Sequence, residues 1–278
     1  MTKSKSLLNV DTLATLPKVM PAAKLFYGSD ADQQFGHLYL PPEGEVFPAV
    51  ILIHGGCWRA RVSLDYFGQV AEALTHLGVA VWSLEYRRIE NGGGWPYTFF
   101  DVAAGADFLK EIAKKYSLSL DKVIAVGHSA GGHLAHWLAA RDNLKPSQPL
   151  YKKDPLALRG FISLAGIPDL AEAVRREICD DAAPVQLMGG LPGEVPERYA
   201  QGSPAELAPL GCKQVFIQGH QDETVPHDYV ESYVTKAVSR GERAKLISLE
   251  ETGHFEIVVA STPQWQEVEE AVTELFEV

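Results

Sequence analysis

The chain has 278 residues, 46% of them hydrophobic and 22% charged, with 25 basic against 36 acidic side chains and a net charge of −11. That length can bury a large core, in one big domain or two ordinary ones. The acidic balance excludes binding of nucleic acid through a broad basic face. Cys57, Cys179 and Cys212 form no CxxC pair and no zinc-spaced cluster, so neither a disulfide framework nor a structural metal is expected.

In chain order, residues 1–24 read as a leader segment with one short helix. They hold no apolar stretch of secretory or membrane-spanning length, which suggests a cytoplasmic protein without a membrane span. "QFGHLYLPP" alternates as a strand ending at Pro41. "FPAVILIHGG" is a continuous apolar run stopped by glycines, the pattern of a strand buried on both faces. "YFGQVAEALTHLG" is a helix closing on Gly78, and "VAVWSLEYRR" the next strand. After the glycine-rich "NGGGWP", "DVAAGADFLKEIAKKY" reads as a helix capped by Asp101. "KVIAVGHS" is a strand, "GGHLAHWLAAR" a helix and "LRGFISLAG" a strand. Residues 166–211 break the rhythm with prolines, glycines and acidic residues. Alternation resumes with strand "KQVFIQGH", helix "DYVESYVTKAVSRG", strand "AKLISLEE" and helix "QWQEVEEAVTELFEV".

Such alternation implies an α/β fold: a mostly parallel central sheet with helices on both faces and chemistry at the carboxyl ends of the strands. Residues 25–278 are expected to form one domain. The 166–211 segment would be a cap-like insertion over the active face, its Val185, Leu187, Met188 and Leu191 walling a pocket.

Three reactive groups fall at predicted strand ends. Ser129 follows "KVIAV" inside Gly-His-Ser-Ala-Gly, Asp222 follows "QVFIQGH", and His254 follows "AKLISLEETG". A serine between glycines where a strand meets a helix fits a nucleophile elbow, and the order Ser, Asp, His is that of α/β-hydrolases. A serine hydroxyl is a weak nucleophile, so it needs a base such as His254 to take its proton. Asp222 would hold that imidazole in the correct tautomer. Glu223 and Asp228 compete for the acid role, with Asp228 expected in the first turn of the next helix. His54, His128 and His220 read as loop braces, and His133 and His136 as packing residues.

"HGGCW" ends an earlier central strand. Its paired glycines allow close backbone approach, so Gly55, Gly56 and the Ala130 amide are expected to form an oxyanion hole. Trp58 either lines the substrate pocket or packs behind the glycine turn. Cys57 reads as a small buried residue. "EYRR" reads as structural, with one arginine buried and paired.

The blocks "HGGCW", "EYRR", "GHSAGG", "GHQDETVP" and "ETGH" resemble those of esterase/lipase-group α/β-hydrolases, namely BD-FAE-type and hormone-sensitive-lipase-like carboxylesterases, and are similar to those of kynurenine formamidases. The resemblance spans roughly residues 25–278. It implies a triad of Ser129, Asp222 and His254, with no metal or other cofactor. The implied activity is hydrolysis of small to medium acyl esters through an acyl-enzyme. The alternative is an arylformamidase acting on N-formylkynurenine. A non-catalytic binding protein of the same fold would be suspected only with a triad member missing. Cys57 departs from the hormone-sensitive-lipase-like pattern, which has a third glycine there.

Overall fold

The computed structural model describes residues 7–179 and 182–277. Leader residues 1–6 lie outside that range. Among the described residues eight strands form one sheet: β1 (Ala23–Phe26), β2 (Phe35–Tyr39), β3 (Phe47–Ile53), β4 (Ala80–Leu84), β5 (Leu118–His128), β6 (Gly160–Leu164), β7 (Lys213–Gly219) and β8 (Ala244–Leu249), in the spatial order β1-β2-β4-β3-β5-β6-β7-β8. The β1–β2 and β2–β4 pairs are antiparallel and the rest parallel. The expected mostly parallel sheet is therefore present. β1 is the strand the sequence pattern does not show. It is a four-residue edge strand with alternate side chains exposed, too short for an apolar run.

The helices are α1 (Val10–Ala14), α2 (Gly68–Thr75), α3 (Tyr97–Asp107), α4 (Leu109–Tyr116), α5 (Ala130–Ala140), α6 (Leu170–Arg175), α7 (Ala183–Met188), α8 (Pro196–Gly202), α9 (His227–Ser239) and α10 (Trp265–Phe276). β3 shows why both faces need covering. Its Ile51 and Ile53 join a core with α3, α5 and α9, through Phe99, Trp137 and Tyr229. Its Val50 and Leu52 point the other way, into a core with α2 and α10, through Leu74 and Val272. Each fully buried aliphatic side chain here contributes about 1.5–3 kcal/mol.

Two helix boundaries differ from the sequence expectation. Asp101 is not a cap but sits one turn inside α3, buried, where it accepts hydrogen bonds from Arg87 Nε (2.7 Å), Arg87 Nη2 (2.6 Å) and Gln34 Nε2 (2.7 Å). The predicted single helix over 101–116 is divided at Phe108 into α3 and α4.

The 166–211 segment holds α6, α7 and α8. Its Leu170, Leu187, Met188 and Tyr199 are buried in the α5-side core, and Leu191 is exposed. Of the apolar residues expected to wall a pocket, Leu187 and Met188 therefore hold the insertion down instead, while Val185 is half-buried and Leu191 faces outward.

α5 carries His133 and His136, both fully buried. His133 Nε2 donates to the Gly202 carbonyl (2.8 Å), and the Tyr233 hydroxyl lies 3.1 Å from His136 Nε2. Burial lowers His133 to about 4 and His136 well below its usual range. His128, at the end of β5, is lowered well below its usual range by burial and by the His254 imidazole beside it. The unfolded chain takes up these protons below about pH 6.5 while the native rings stay neutral. Their stability contribution is thus complete above that pH and is lost as pH falls toward the folded values. The free energy of unfolding measured in urea should be lower at pH 5 than at pH 7 by on the order of 1–2 kcal/mol per buried imidazole. His136→Phe, which keeps a ring stacked on Phe161, should flatten that dependence; an unchanged slope would contradict it.

Candidate active site

The strand order reverses around β3, with β4 on one side and β5 on the other. Ligands of open α/β sheets bind at such a reversal, outside the carboxyl ends of the strands. The two turns leaving β3 and β5 carry the glycine pair and Ser129.

Ser129 joins β5 to α5 with φ 55° and ψ −121°, a conformation a non-glycine residue rarely adopts. Such a position costs about 1–3 kcal/mol and persists only where the surroundings impose it. Here the neighbours do. A Cβ on Gly127 would lie 2.0 Å from the Gly131 carbonyl oxygen, and one on Gly131 would lie 2.1 Å from that of Ile53. The flanking glycines thus let the elbow press against itself and against β3.

Asp222 and His254 leave the ends of β7 and β8 and meet. His254 Nδ1 donates to Asp222 Oδ2 at 2.7 Å. The same oxygen accepts from Gln218 Nε2 (2.9 Å), while Oδ1 accepts from the amides of Thr224 and Val225, both at 2.8 Å. The buried carboxylate has four donors around it, so its orientation is fixed and its charge is satisfied. Asp228, the competing acid, lies in the first turn of α9 and pairs with Arg176 (2.6 Å). Glu223 is exposed at the cavity.

Ser129 and His254 open into one cavity of about 740 Å³. Among the described residues no hydrogen bond yet joins Ser129 Oγ to His254. Contacts of this kind are commonly loose without substrate and tighten with it.

The glycine turn differs in one respect from the expectation. The Gly55 amide donates to the Tyr66 hydroxyl at 2.7 Å, so it does not face the cavity as a free donor. Gly55 has a packing reason instead, since a Cβ there would lie 2.7 Å from the His128 carbonyl oxygen and 2.9 Å from Ser129 Cβ. Gly56, at φ +106°, does line the cavity. Ala130 opens α5, where the first amides have no intrahelical partner.

Behind the turn, His54 Nδ1 faces the Gly55 carbonyl (2.8 Å) and Nε2 faces Glu85 (3.0 Å), which also pairs with buried Arg88 (2.6 Å). Burial pushes the Glu85 carboxyl up, but His54 and Arg88 outweigh it and hold it below its usual range. Trp58 is fully buried, edge-on to His133, and does not line the cavity. It packs behind the turn.

Two features of the site are not visible in the sequence. Cys57 and Cys179 form a disulfide, with Cα atoms 5.8 Å apart, where none is expected from their spacing. Partners 122 residues apart give no local signal. The bridge ties the glycine turn to the 166–211 insertion, and both cysteines line the cavity. The leader also lines it, with Val10, Leu13, Leu16 and Lys18. The Leu8 amide donates to buried Glu256 Oε1 (2.6 Å), which secures the leader to the segment after His254.

A rice (Oryza sativa subsp. japonica) protein named "Probable isoprenylcysteine alpha-carbonyl methylesterase ICME" is 23% identical over 79% of this chain and 55% of its own length. The "Probable carboxylic ester hydrolase LipM" of Mycobacterium tuberculosis (strain ATCC 25618 / H37Rv) is 26% identical over 44% of this chain and 28% of its own. The chain thus spans about half of the first relative and about a quarter of the second. Among solved structures, a truncated carbohydrate esterase from gut microbiota superposes with a TM-score of 0.79 at 22% identity, covering 93% of this chain and 96% of that one. The native esterase Est2 of the Planctomycetes species Thermogutta terrifontis gives 0.75 at 18%, covering 95% of both. These likenesses fix the fold as that of an α/β-hydrolase. The BD-FAE family model matches residues 37–236, from β2 into α9, and takes in the glycine turn, the Ser129 elbow and Asp222. The chain belongs to the BD-FAE family.

Proposed function

We propose that the chain is a serine carboxylesterase working through Ser129, His254 and Asp222. The observation that carries this reading is the buried Asp222–His254 pair opening onto the same cavity as a serine in a strained strand-to-helix turn. In the acylation step His254 Nε2 takes the Ser129 proton as Oγ attacks the ester carbonyl. The Gly56 and Ala130 amides receive the oxyanion. His254 then protonates the leaving alcohol, and water releases the acid by the same steps in reverse order. Acyl transfer of this kind needs no metal or other cofactor. The names of the relatives and structural neighbours support ester hydrolysis as the reaction.

The substrate class follows from the walls. The Cys57–Cys179 bridge secures the insertion, and the leader adds Val10, Leu13 and Leu16 to the walls, so the cavity is bounded by fixed segments rather than a broad lipid surface. Short acyl esters, about C2 to C6, fit a site of this size. The bridge weighs against the cytoplasmic location that the N-terminus suggests, because thiol buffers there keep such pairs reduced. No described helix is long and apolar enough to cross a membrane.

A panel of p-nitrophenyl esters of increasing chain length, a triglyceride emulsion and N-formylkynurenine tests this reading. kcat/KM should be highest for the short esters. A higher value for long-chain emulsions would overturn the short-acyl assignment. A clear preference for N-formylkynurenine would make the chain a formamidase with the same machinery.

A further inference from the structure

The Tyr66 hydroxyl is not used by the acyl-transfer steps above, yet it stands between their two halves. It accepts the Gly55 amide at 2.7 Å and lies 3.2 Å from His128 Nδ1. His128 Nε2 in turn lies 2.9 Å from the main-chain carbonyl of His254. A carbonyl can only accept, so Nε2 carries the proton and Nδ1 is left as an acceptor. The Tyr66 hydroxyl must then donate to Nδ1. All three hydrogen bonds run in one direction: Gly55 N–H to Tyr66, Tyr66 O–H to His128, and His128 N–H to the His254 carbonyl.

The surroundings hold this arrangement in one state. The His128 ring lies 4.6 Å from that of His254 and 5.8 Å from that of Phe255, and the Tyr66 ring lies 4.4 Å from Phe67. Burial and the His254 imidazole keep His128 neutral, so it cannot become a double donor and break the Tyr66 bond. Burial also pushes the Tyr66 phenol well up, so it stays a donor.

We propose that Tyr66 and His128 are positioning residues that lock the glycine turn after β3 to the loop carrying His254. The inference rests on the esterase reading. Each bond by itself braces a loop. Joined, they fix the distance between the Gly56 donor and the base, two groups that reach the Ser129 elbow from different strands. Misplacement on the 1 Å scale can cost about 10²-fold in rate, so the lock acts on kcat rather than on substrate affinity.

Two measurements test this. In protein carrying ¹⁵N-histidine, NMR should show His128 as the Nε2–H tautomer, staying neutral from pH 8 to pH 5. An Nδ1–H tautomer, or an imidazolium at pH 7, overturns the relay whatever the protein hydrolyses. In kinetics on a short p-nitrophenyl ester, Tyr66→Phe keeps the ring and removes only the hydroxyl. It should lower kcat about 10–100-fold with KM little changed. His128→Phe should do the same, and the double variant should be no slower than the slower single one, because either change breaks the chain. Unchanged kcat in Tyr66→Phe, or losses that multiply in the double variant, overturns the proposal. A parent protein without esterase activity would remove the functional reading instead, and the tautomer would still decide the relay.

Discussion

Ser129→Ala is expected to lower kcat by about 10⁵–10⁶-fold, leaving at most the residual rate that binding and oxyanion donors supply. The change removes one oxygen from a buried residue and alters no packing contact. The elbow is imposed by its neighbours, through the close approach of Gly127 to Gly131 and of Gly131 to Ile53, and those remain. The variant should therefore melt near the parent temperature and bind substrate with similar affinity. Esterase activity retained in the purified variant would mean that another nucleophile operates.

Asp222→Asn should lower kcat on the order of 10³–10⁴-fold, and the structure shows why an isosteric change does so much. One carboxylate oxygen faces two main-chain amides, which donate and can only be met by the carboxamide oxygen. That places the new NH₂ against His254 Nδ1 and Gln218 Nε2, where Oδ2 now accepts from both. His254 must then leave Nδ1 bare and carry its proton on Nε2, the nitrogen that has to receive the Ser129 proton. The rate falls although the geometry is kept. Asp228→Asn removes only an ion pair with Arg176 at the surface and should leave kcat nearly unchanged. The reverse pattern, a severe Asp228→Asn and a mild Asp222→Asn, would reassign the acid.

Much of this site can be read from the sequence because its parts are local. Gly-His-Ser-Ala-Gly must be a tight strand-to-helix turn, and the strands before Ser129 and Asp222 carry continuous apolar centres, Val123 to Val126 and Val215 to Ile217, as strands covered on both faces do. What escapes the sequence is set by contacts between distant segments. Nothing near Tyr66 marks it as the partner of the Gly55 amide, and Gly55 reads as an oxyanion donor until the phenol is placed. Trp58 is ambiguous because either side of a glycine turn accepts an indole, and only the packing with His133 decides. The leader shows no catalytic motif, yet its apolar residues complete a cavity whose other walls come from the rest of the chain. Asp101 looks like a cap beside a helical pattern, but the buried Arg87 contact draws it inside the helix.

Site-mapped labelling with a fluorophosphonate tests the mechanism most directly. The parent protein should take up a single label, on the peptide bearing Ser129, with esterase activity falling in proportion to the labelled fraction. Ser129→Ala should remain unlabelled. Activity lost with the label on a different residue, or full activity in protein labelled at Ser129, would contradict a nucleophilic Ser129 activated by His254 and Asp222.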